Sequence, residues 1–212
     1  MIEEYVKYKI NKFFDNKKLY ISFRNNVVYI KETDVEGKAD LSCIMLNDSI
    51  IVNNPDKNIL PYLRQGQAQQ CSDEFIFSKV DKKYIIRIIE LKKTINQNSL
   101  KKAIKQIAMG IYYSKALIAF LGINETDVLK FEAYIAYRED KLSCVDESIK
   151  QLKDEGLISL HEANSNKNIE KYFKLQKMWL NNILKLTINM QENDIALKKL
   201  QLDSEGKGFS II

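Results

Sequence analysis

Residues that interrupt regular structure are scarce in this sequence, which has seven glycines and two prolines among 212 residues. It also has no internal repeat and no low-complexity tract. These absences argue against a flexible linker or a disordered arm. Because 45% of the residues are hydrophobic, enough for a full core, we expect one compact domain or one domain with an elaborated end.

Histidine and cysteine are scarce as well, which limits the chemistry that the chain can support. His161 is the only histidine, so zinc sites and nuclease mechanisms that need two histidines are excluded. Cys43, Cys71 and Cys144 are far apart and odd in number, and they predict no disulfide framework. We therefore expect a protein of the reduced cytoplasm, in which Cys71 is a packing residue rather than a nucleophile.

Long apolar runs and glycine-rich phosphate loops are also missing. The longest apolar stretch near the middle, residues 116–123, is too short to cross a bilayer and predicts a buried strand. Residues 1–7 carry acids where a secretory signal is basic, so we expect neither export by that route nor a membrane partner. No GxxxxGK(S/T), GxGxxG or GxSxG pattern occurs. A metal ion held by carboxylates is the chemistry that remains.

Positive charge is concentrated in one part of the chain. Between Leu91 and Asn124 there is no aspartate or glutamate, whereas six lysines occur there, namely Lys92, Lys93, Lys101, Lys102, Lys105 and Lys115. Because the formal net charge of the whole chain is +5, the remainder is slightly negative. A basic stretch of this kind fits a polyanionic substrate, and its alternative is a solvated helix face.

A short motif at the start of this stretch places a carboxylate beside an ammonium group. Glu90, Leu91 and Lys92 follow the apolar run of residues 84–89. Because side chains alternate along a strand, Glu90 and Lys92 should share one face of a sheet while Leu91 enters the other.

A second carboxylate is brought to this motif by a predicted hairpin. Residues 75–77 and 84–89 are β-rich runs, and residues 80–83 between them predict a turn. Folding this hairpin returns Asp73 to Glu90. Two carboxylates and a lysine suit a magnesium site for phosphodiester hydrolysis.

Two neighbouring residues compete for these positions. Glu74 adjoins Asp73, but in a strand the two side chains face opposite ways, so one of them joins Glu90 and the other should be solvated. Lys93 adjoins Lys92 and should point away from Glu90.

With these residues in place, the chain resembles the PD-(D/E)xK nucleases of the restriction-endonuclease-like superfamily over about residues 70–123. The resemblance implies that Asp73 is the first metal-binding aspartate, Glu90 the second acidic ligand and Lys92 the catalytic lysine. It also implies that the backbone carbonyl of Leu91 contacts the metal, which would be Mg²⁺, with Mn²⁺ able to substitute.

Other features of the family are partly present. Some branches carry a glutamine near the scissile phosphate on the helix after the motif, and Gln106 matches that position. Many members add a glutamate from an upstream helix, for which Glu4 is the candidate on the first predicted helix; Glu32, Asp34 and Glu36 are the alternatives. No proline precedes Asp73, and Gly110 stands where one branch has a tyrosine, which argues against that branch.

The basic stretch itself predicts a helix. Apolar residues recur at helical spacing from Leu100 to Ile111, behind an N-cap at Asn98 or Ser99. One face should therefore be buried, while the rim can meet phosphates. The predicted nucleic-acid contacts are Lys93, Lys101, Lys102, Lys105 and Gln106, and Arg64 in the polar segment before the site, with a solvated surface as the alternative.

The order of the elements predicts the fold class. A helix over residues 2–14 is followed by short strands at 19–23, 27–30, 41–46 and 50–52, by the hairpin and basic helix, and by strands at 116–121 and 131–137. We expect an α/β fold with a mixed central β-sheet flanked by helices and a restriction-endonuclease-like core in residues 1–140. Predicted helices at 146–155 and 166–183 indicate a helical C-terminal elaboration, residues 141–212, packed on the core.

Two functions from different classes fit these observations. The first is a metal-dependent nuclease acting on DNA, as a homodimer or with a regulatory protein partner, in a phage-defence or mobile-element context. The second is a non-catalytic module that binds nucleic acid or a protein partner and retains the nuclease fold. Dependence on a divalent metal separates the two.

Overall fold

A computed structural model describes residues 1–32, 39–53, 71–143 and 167–212. The helices are α1 (Glu4–Phe13), α2 (Gln97–Leu121) and α3 (Lys167–Leu180), with a 3₁₀ turn at Glu125–Asp127. The strands are β1 (Leu19–Ser22), β2 (Val27–Lys31), β3 (Asp40–Ile44), β4 (Ser49–Asn53), β5 (Glu74–Val80), β6 (Lys83–Ile95), β7 (Val128–Asp140), β8 (Ile183–Ile188), β9 (Gln191–Gln201) and β10 (Lys207–Ile211).

Seven of these strands form a mixed sheet in the order β1-β4-β5-β6-β7-β9-β8. The central strand β6 pairs antiparallel with β5 and parallel with β7, and α2 makes the connection between β6 and β7. This arrangement confirms the predicted α/β fold with a mixed central sheet flanked by helices. Because both faces of the central strand are covered, residues 84–91 of β6 are mostly apolar and mostly buried.

A smaller sheet in the order β10-β3-β2 covers the face of the main sheet opposite α2. Leu41 and Cys43 of β3 belong to the same buried cluster as Ile76 and Leu91 of the main sheet. A turn at Asn25, which has φ 67°, leads from one sheet to the other. The first two strands therefore do not pair with each other, because β1 pairs with β4 and β2 with β3.

Helix α2 is longer than its sequence pattern predicted. Its first turn is capped by the Asn96 side chain, which accepts from the backbone N–H groups of Asn98 and Ser99, and it ends at Gly122 with φ 78°. The strand predicted at residues 116–121 is wrong, since those residues form the last turns of α2. The strand predicted at residues 131–137 lies within β7 and completes the crossover.

Among the described residues of the C-terminal part, 141–143 and 167–212, the helical segment is α3, which confirms the helix predicted at residues 166–183. The expectation of a helical elaboration is otherwise corrected, because β8 and β9 extend the main sheet beside β7 and β10 extends the smaller sheet. Trp179 of α3 is fully buried, and its indole N–H donates to Asp140 at 2.9 Å. The helix predicted at residues 146–155 lies outside the described residues.

None of the helices in the described part of the chain combines the length and the apolar character needed to cross a membrane.

Candidate active site on the central strand

The middle of β6 presents alternate residues to the two faces of the main sheet, as the sequence predicted. Ile86 and Ile88 pack in the cluster that contains the buried residues of α2, whereas Ile89 and Leu91 pack against the smaller sheet. Glu90 continues the Ile86 and Ile88 series, so its side chain lies on the α2 side.

The β5–β6 hairpin brings Asp73 to this motif. Its turn lies at Asp81, which has φ 53°, as the β-rich runs predicted. The Asp73 backbone N–H donates to Ile89 at 3.1 Å, and the Asp73 Oδ2 accepts the backbone N–H of Leu91 at 2.7 Å. Asp73 is therefore tied to the backbone on both sides of Glu90, through its N–H at Ile89 and through its carboxylate at Leu91.

Glu90 is the most buried acid of the site, with 0% of the residue exposed. Burial raises its pKa to about 8, and the negative charge of Asp73 adds to this shift, while Lys92 and Lys102 lower the pKa. The Oε1 atom accepts from Lys92. The Oε2 atom has no hydrogen-bond partner within the described residues. An unpaired buried carboxylate oxygen is costly, so this position suits a positively charged group.

Lys92 lies at the rim of the same site. Its ammonium group donates to the Glu90 carboxylate and, at 3.1 Å, to the backbone carbonyl of Leu91. Because Lys92 is only partly buried, its charge lies between the buried Glu90 carboxylate and the solvent. The structure thus brings together Asp73, Glu90, Lys92 and the Leu91 carbonyl.

These groups fit a hard cation. Mg²⁺ prefers oxygen ligands, and the site offers the carboxylates of Asp73 and Glu90 and the carbonyl of Leu91. The Glu90 Oε2 atom is buried and accepts no hydrogen bond within the described residues, so it is available to a cation. Within residues 1–32, 39–53, 71–143 and 167–212, no cluster of three or more histidine, cysteine, aspartate and glutamate side chains occurs. Waters would therefore complete the coordination, as is usual for Mg²⁺.

Two other acids considered from the sequence lie elsewhere. Glu4 is exposed and pairs with Lys7 at 2.6 Å. Its neighbour Glu3 accepts from Tyr84, which precedes Glu90 by six residues, or about 20 Å along β6. The structure therefore does not bring Glu4 to the site. Glu74 does face away from Glu90, but it is buried against the smaller sheet and not solvated as expected.

The N-terminal half of α2 borders the site. Lys102 is close enough to lower the pKa of Glu90, and Lys102 and Lys105 are exposed, as is Lys93 on β6. Lys101 is partly buried. These positions are compatible with the predicted phosphate contacts, whereas Arg64 lies outside the described residues.

Gln106 departs from its predicted position on the rim of the helix. It is buried, and its Nε2 donates to the backbone carbonyl of Cys71 at 3.2 Å. The contact anchors α2 to the residues just before Asp73. Burial raises the pKa of the Cys71 thiol to about 12, so a neutral packing role fits this cysteine, as predicted. The sequence did not reveal this anchor, because its acceptor is a backbone atom distant in the chain.

Gly110 marks a close approach of α2 to the sheet. A Cβ atom at this position would lie 2.9 Å from Cγ2 of Ile88, 3.0 Å from Cε1 of Phe75 and 3.3 Å from Oγ of Ser72. There is no room for a side chain, which explains in physical terms why glycine stands four residues after Gln106.

Comparisons with known proteins leave this site to be interpreted from its own geometry. None of the protein-family models, curated proteins or solved structures compared with the chain matches it.

Proposed function

We propose that this protein is a metal-dependent nuclease that hydrolyses phosphodiester bonds in DNA. The observation that carries the proposal is the fully buried Glu90 carboxylate, which has one oxygen on Lys92 and the other without a donor, next to the Asp73 carboxylate. An ion pair between Glu90 and Lys92 with only a structural role would not explain why a second acid, Asp73, is held beside it.

The residues divide into ligands and a charge-bearing group. Asp73, Glu90 and the Leu91 carbonyl would hold the cation, which when bound supplies Lewis-acid activation of a phosphate oxygen and of a water. Lys92 contributes a positive charge that does not depend on the cation. From its position at the rim, it can donate to the attacking water or to a phosphate oxygen, on which negative charge increases during the reaction.

Substrate binding is proposed for the lysines around this centre. Lys102 and Lys105 are exposed on α2, where Lys101 adds a further charge, and Lys93 is exposed on β6 on the side of the strand that faces away from Glu90. Ionic contacts of this kind recognise the phosphate backbone and carry no sequence information. The arrangement therefore favours a nucleic-acid substrate over a small phosphate ester.

The resemblance to PD-(D/E)xK nucleases supports the same proposal through Asp73, Glu90 and Lys92. On that basis we further propose a role in phage defence or in a mobile element, with activity as a homodimer or under a regulatory partner. A cytoplasmic location is proposed as well, because the described cysteines Cys43 and Cys71 are free thiols.

The test is a cleavage assay with purified protein on plasmid DNA, single-stranded DNA and RNA. We expect cleavage of DNA with Mg²⁺ or Mn²⁺, none in EDTA, and a decrease of about 100-fold or more for Lys92→Ala, since the variant loses the group that donates in the transition state. Lys115→Ala is the matched control, because this lysine lies on α2 and pairs with Glu125 at 2.5 Å.

A different result would favour the alternative function. If no nucleic acid is cut under any metal, yet DNA is bound equally with and without EDTA, the protein is a binding module that retains the fold. Cleavage of RNA alone would keep the enzyme class and correct the substrate.

A further inference from the structure

Helix α1 carries two different stripes of side chains. Its buried residues Val6 and Ile10, with Ile2 just before the helix, belong to the main core. A second stripe faces outward at helical spacings of three and four residues and consists of Tyr5, Tyr8, Lys9, Lys12 and Phe13. Together with Phe120 at the end of α2, these residues form what we call the aromatic–lysine face.

The rings of this face are about half exposed to solvent. The exposed fractions are 48% for Tyr5, 57% for Tyr8, 55% for Phe13 and 51% for Phe120. Isolated exposed rings are common in proteins, but four on adjoining helix surfaces form a patch, and patches of this kind mark interaction sites.

The lysines of the face are arranged around the rings. Lys12 Nζ lies 5.1 Å from the centroid of the Tyr8 ring and 5.2 Å from that of Phe13, and Lys9 Nζ lies 6.0 Å from that of Phe120. Neither lysine forms a salt bridge with an acid in the described part of the chain. The nearby Glu3 and Glu4 are engaged by Lys79 and Lys7. The face therefore has uncompensated positive charge.

The face is also held in a fixed arrangement. Tyr5 donates through its hydroxyl to the Gly122 carbonyl at 2.9 Å, and Lys9 donates to the Phe120 carbonyl at 2.8 Å. Phe120 packs edge-to-face with Phe13 and Phe14, at centroid distances of 5.9 and 5.4 Å. Because these side chains are already held in place, ordering them on binding a ligand would cost little conformational entropy.

We infer that the aromatic–lysine face binds single-stranded nucleic acid, with unpaired bases stacking on its rings and phosphates contacting its lysines. Aromatic rings interleaved with lysines are the chemistry of such surfaces, and duplex bases offer no free ring face for stacking. A lipid surface fits less well, because the apolar stripe of α1 is already buried and cannot insert.

The position of the face relates it to the candidate active site without depending on it. Phe120 lies fourteen residues after Gln106 on α2, or about 21 Å along the helix axis. The exposed positions Lys102, Lys105, Ala116 and Phe120 lie along one side of α2. A strand bound on the aromatic–lysine face could thus follow α2 towards the lysines of the site.

The experiment measures binding of a fluorescein-labelled oligothymidine to the full chain in EDTA, beside a duplex of the same length and anionic lipid vesicles. We expect the oligothymidine to bind, Tyr8→Ala to weaken it about 5- to 10-fold, and Tyr8→Phe to retain it, because stacking needs the ring and not the hydroxyl. A plot of the logarithm of the binding constant against the logarithm of the salt concentration should be less steep for Lys12→Gln, by about 0.7 in slope.

Matched controls come from the smaller sheet. Tyr29 is 60% exposed and Lys31 pairs with Asp40, so Tyr29→Ala and Lys31→Gln should bind like the wild type. Absence of oligothymidine binding, or equal affinities for Tyr8→Ala and Tyr29→Ala, overturns the inference. If Tyr8→Ala abolishes binding to vesicles and Tyr29→Ala does not, and if Tyr8→Ala leaves the affinity for the oligothymidine unchanged, the face binds a membrane instead. Since EDTA prevents metal-dependent cleavage, these results are independent of whether the protein is a nuclease.

Discussion

Replacing Glu90 with glutamine is expected to lower the rate of DNA cleavage by on the order of 1000-fold, because the variant loses a carboxylate ligand and with it several kcal/mol of cation-mediated stabilisation. The substitution keeps the size of the side chain, so the packing around this fully buried position should be unchanged. Single-turnover cleavage with Mg²⁺ measures the loss. Glu125→Gln, at an exposed acid, is the control. Retention of more than a tenth of the wild-type rate would exclude Glu90 as a ligand.

The same variant should change the pH dependence of stability in a defined direction. The pKa of Glu90 is raised from 4.5 to about 8, so between these values the folded protein binds a proton that the unfolded chain releases. The free energy of unfolding of the wild type should therefore fall as the pH rises from about 5 to 8.5. Glu90→Gln removes this fall and should gain roughly 2 to 4 kcal/mol relative to the wild type across that range. Urea unfolding in EDTA at the two pH values measures the difference. If Glu90→Gln keeps the pH dependence of the wild type, the raised pKa of Glu90 is contradicted.

Gly110→Tyr should have the largest effect on folding. The glycine lies against Ile88 and Phe75, where even a Cβ atom would come within 2.9 and 3.0 Å of their side chains, so α2 would have to move away from the sheet. We expect the free energy of unfolding to fall by about 3 kcal/mol or more, with loss of cleavage as the site next to the helix is displaced.

Ala116→Tyr is the matched control for this variant, since it adds the same side chain to an exposed position of α2. Its free energy of unfolding should stay within about 0.5 kcal/mol of the wild-type value. Urea unfolding followed by circular dichroism compares the two. If Gly110→Tyr proves as stable as Ala116→Tyr, α2 does not pack closely against the sheet at Gly110.

Strong local patterns account for the parts of the fold that the sequence predicted. Alternation in β6 placed Glu90 and Lys92 on one face and Leu91 on the other, and the turn at Asp81 brought Asp73 back to them. A period of two and a short hairpin are determined by neighbouring residues, so they can be recognised without tertiary information.

The strand predicted at residues 116–121 shows where local patterns are ambiguous. A short apolar run cannot be assigned to a strand or a helix from periodicity alone. In the structure, Leu117, Ile118 and Leu121 extend the buried face of α2 that begins at Leu100. Likewise, β8 alternates buried and exposed residues, but its place beside β9 at the end of the main sheet depends on long-range pairing.

The candidate site was only partly predictable for a related reason. Asp73, Glu90 and Lys92 are close in sequence and are joined by one hairpin. The burial of Gln106 depends instead on the distant carbonyl of Cys71, and the separation of Glu4 from the site depends on how α1 packs near the start of β6. No local pattern encodes either of these tertiary contacts.

Calorimetric titration of Mn²⁺ into metal-free protein tests most directly whether Asp73 and Glu90 form a cation site. We expect saturable binding to the wild type and an affinity at least about 10-fold weaker in Glu90→Gln, with Glu125→Gln like the wild type. An absence of Mn²⁺ binding, or equal affinities for the wild type and Glu90→Gln, would contradict a metal-dependent nuclease at this site.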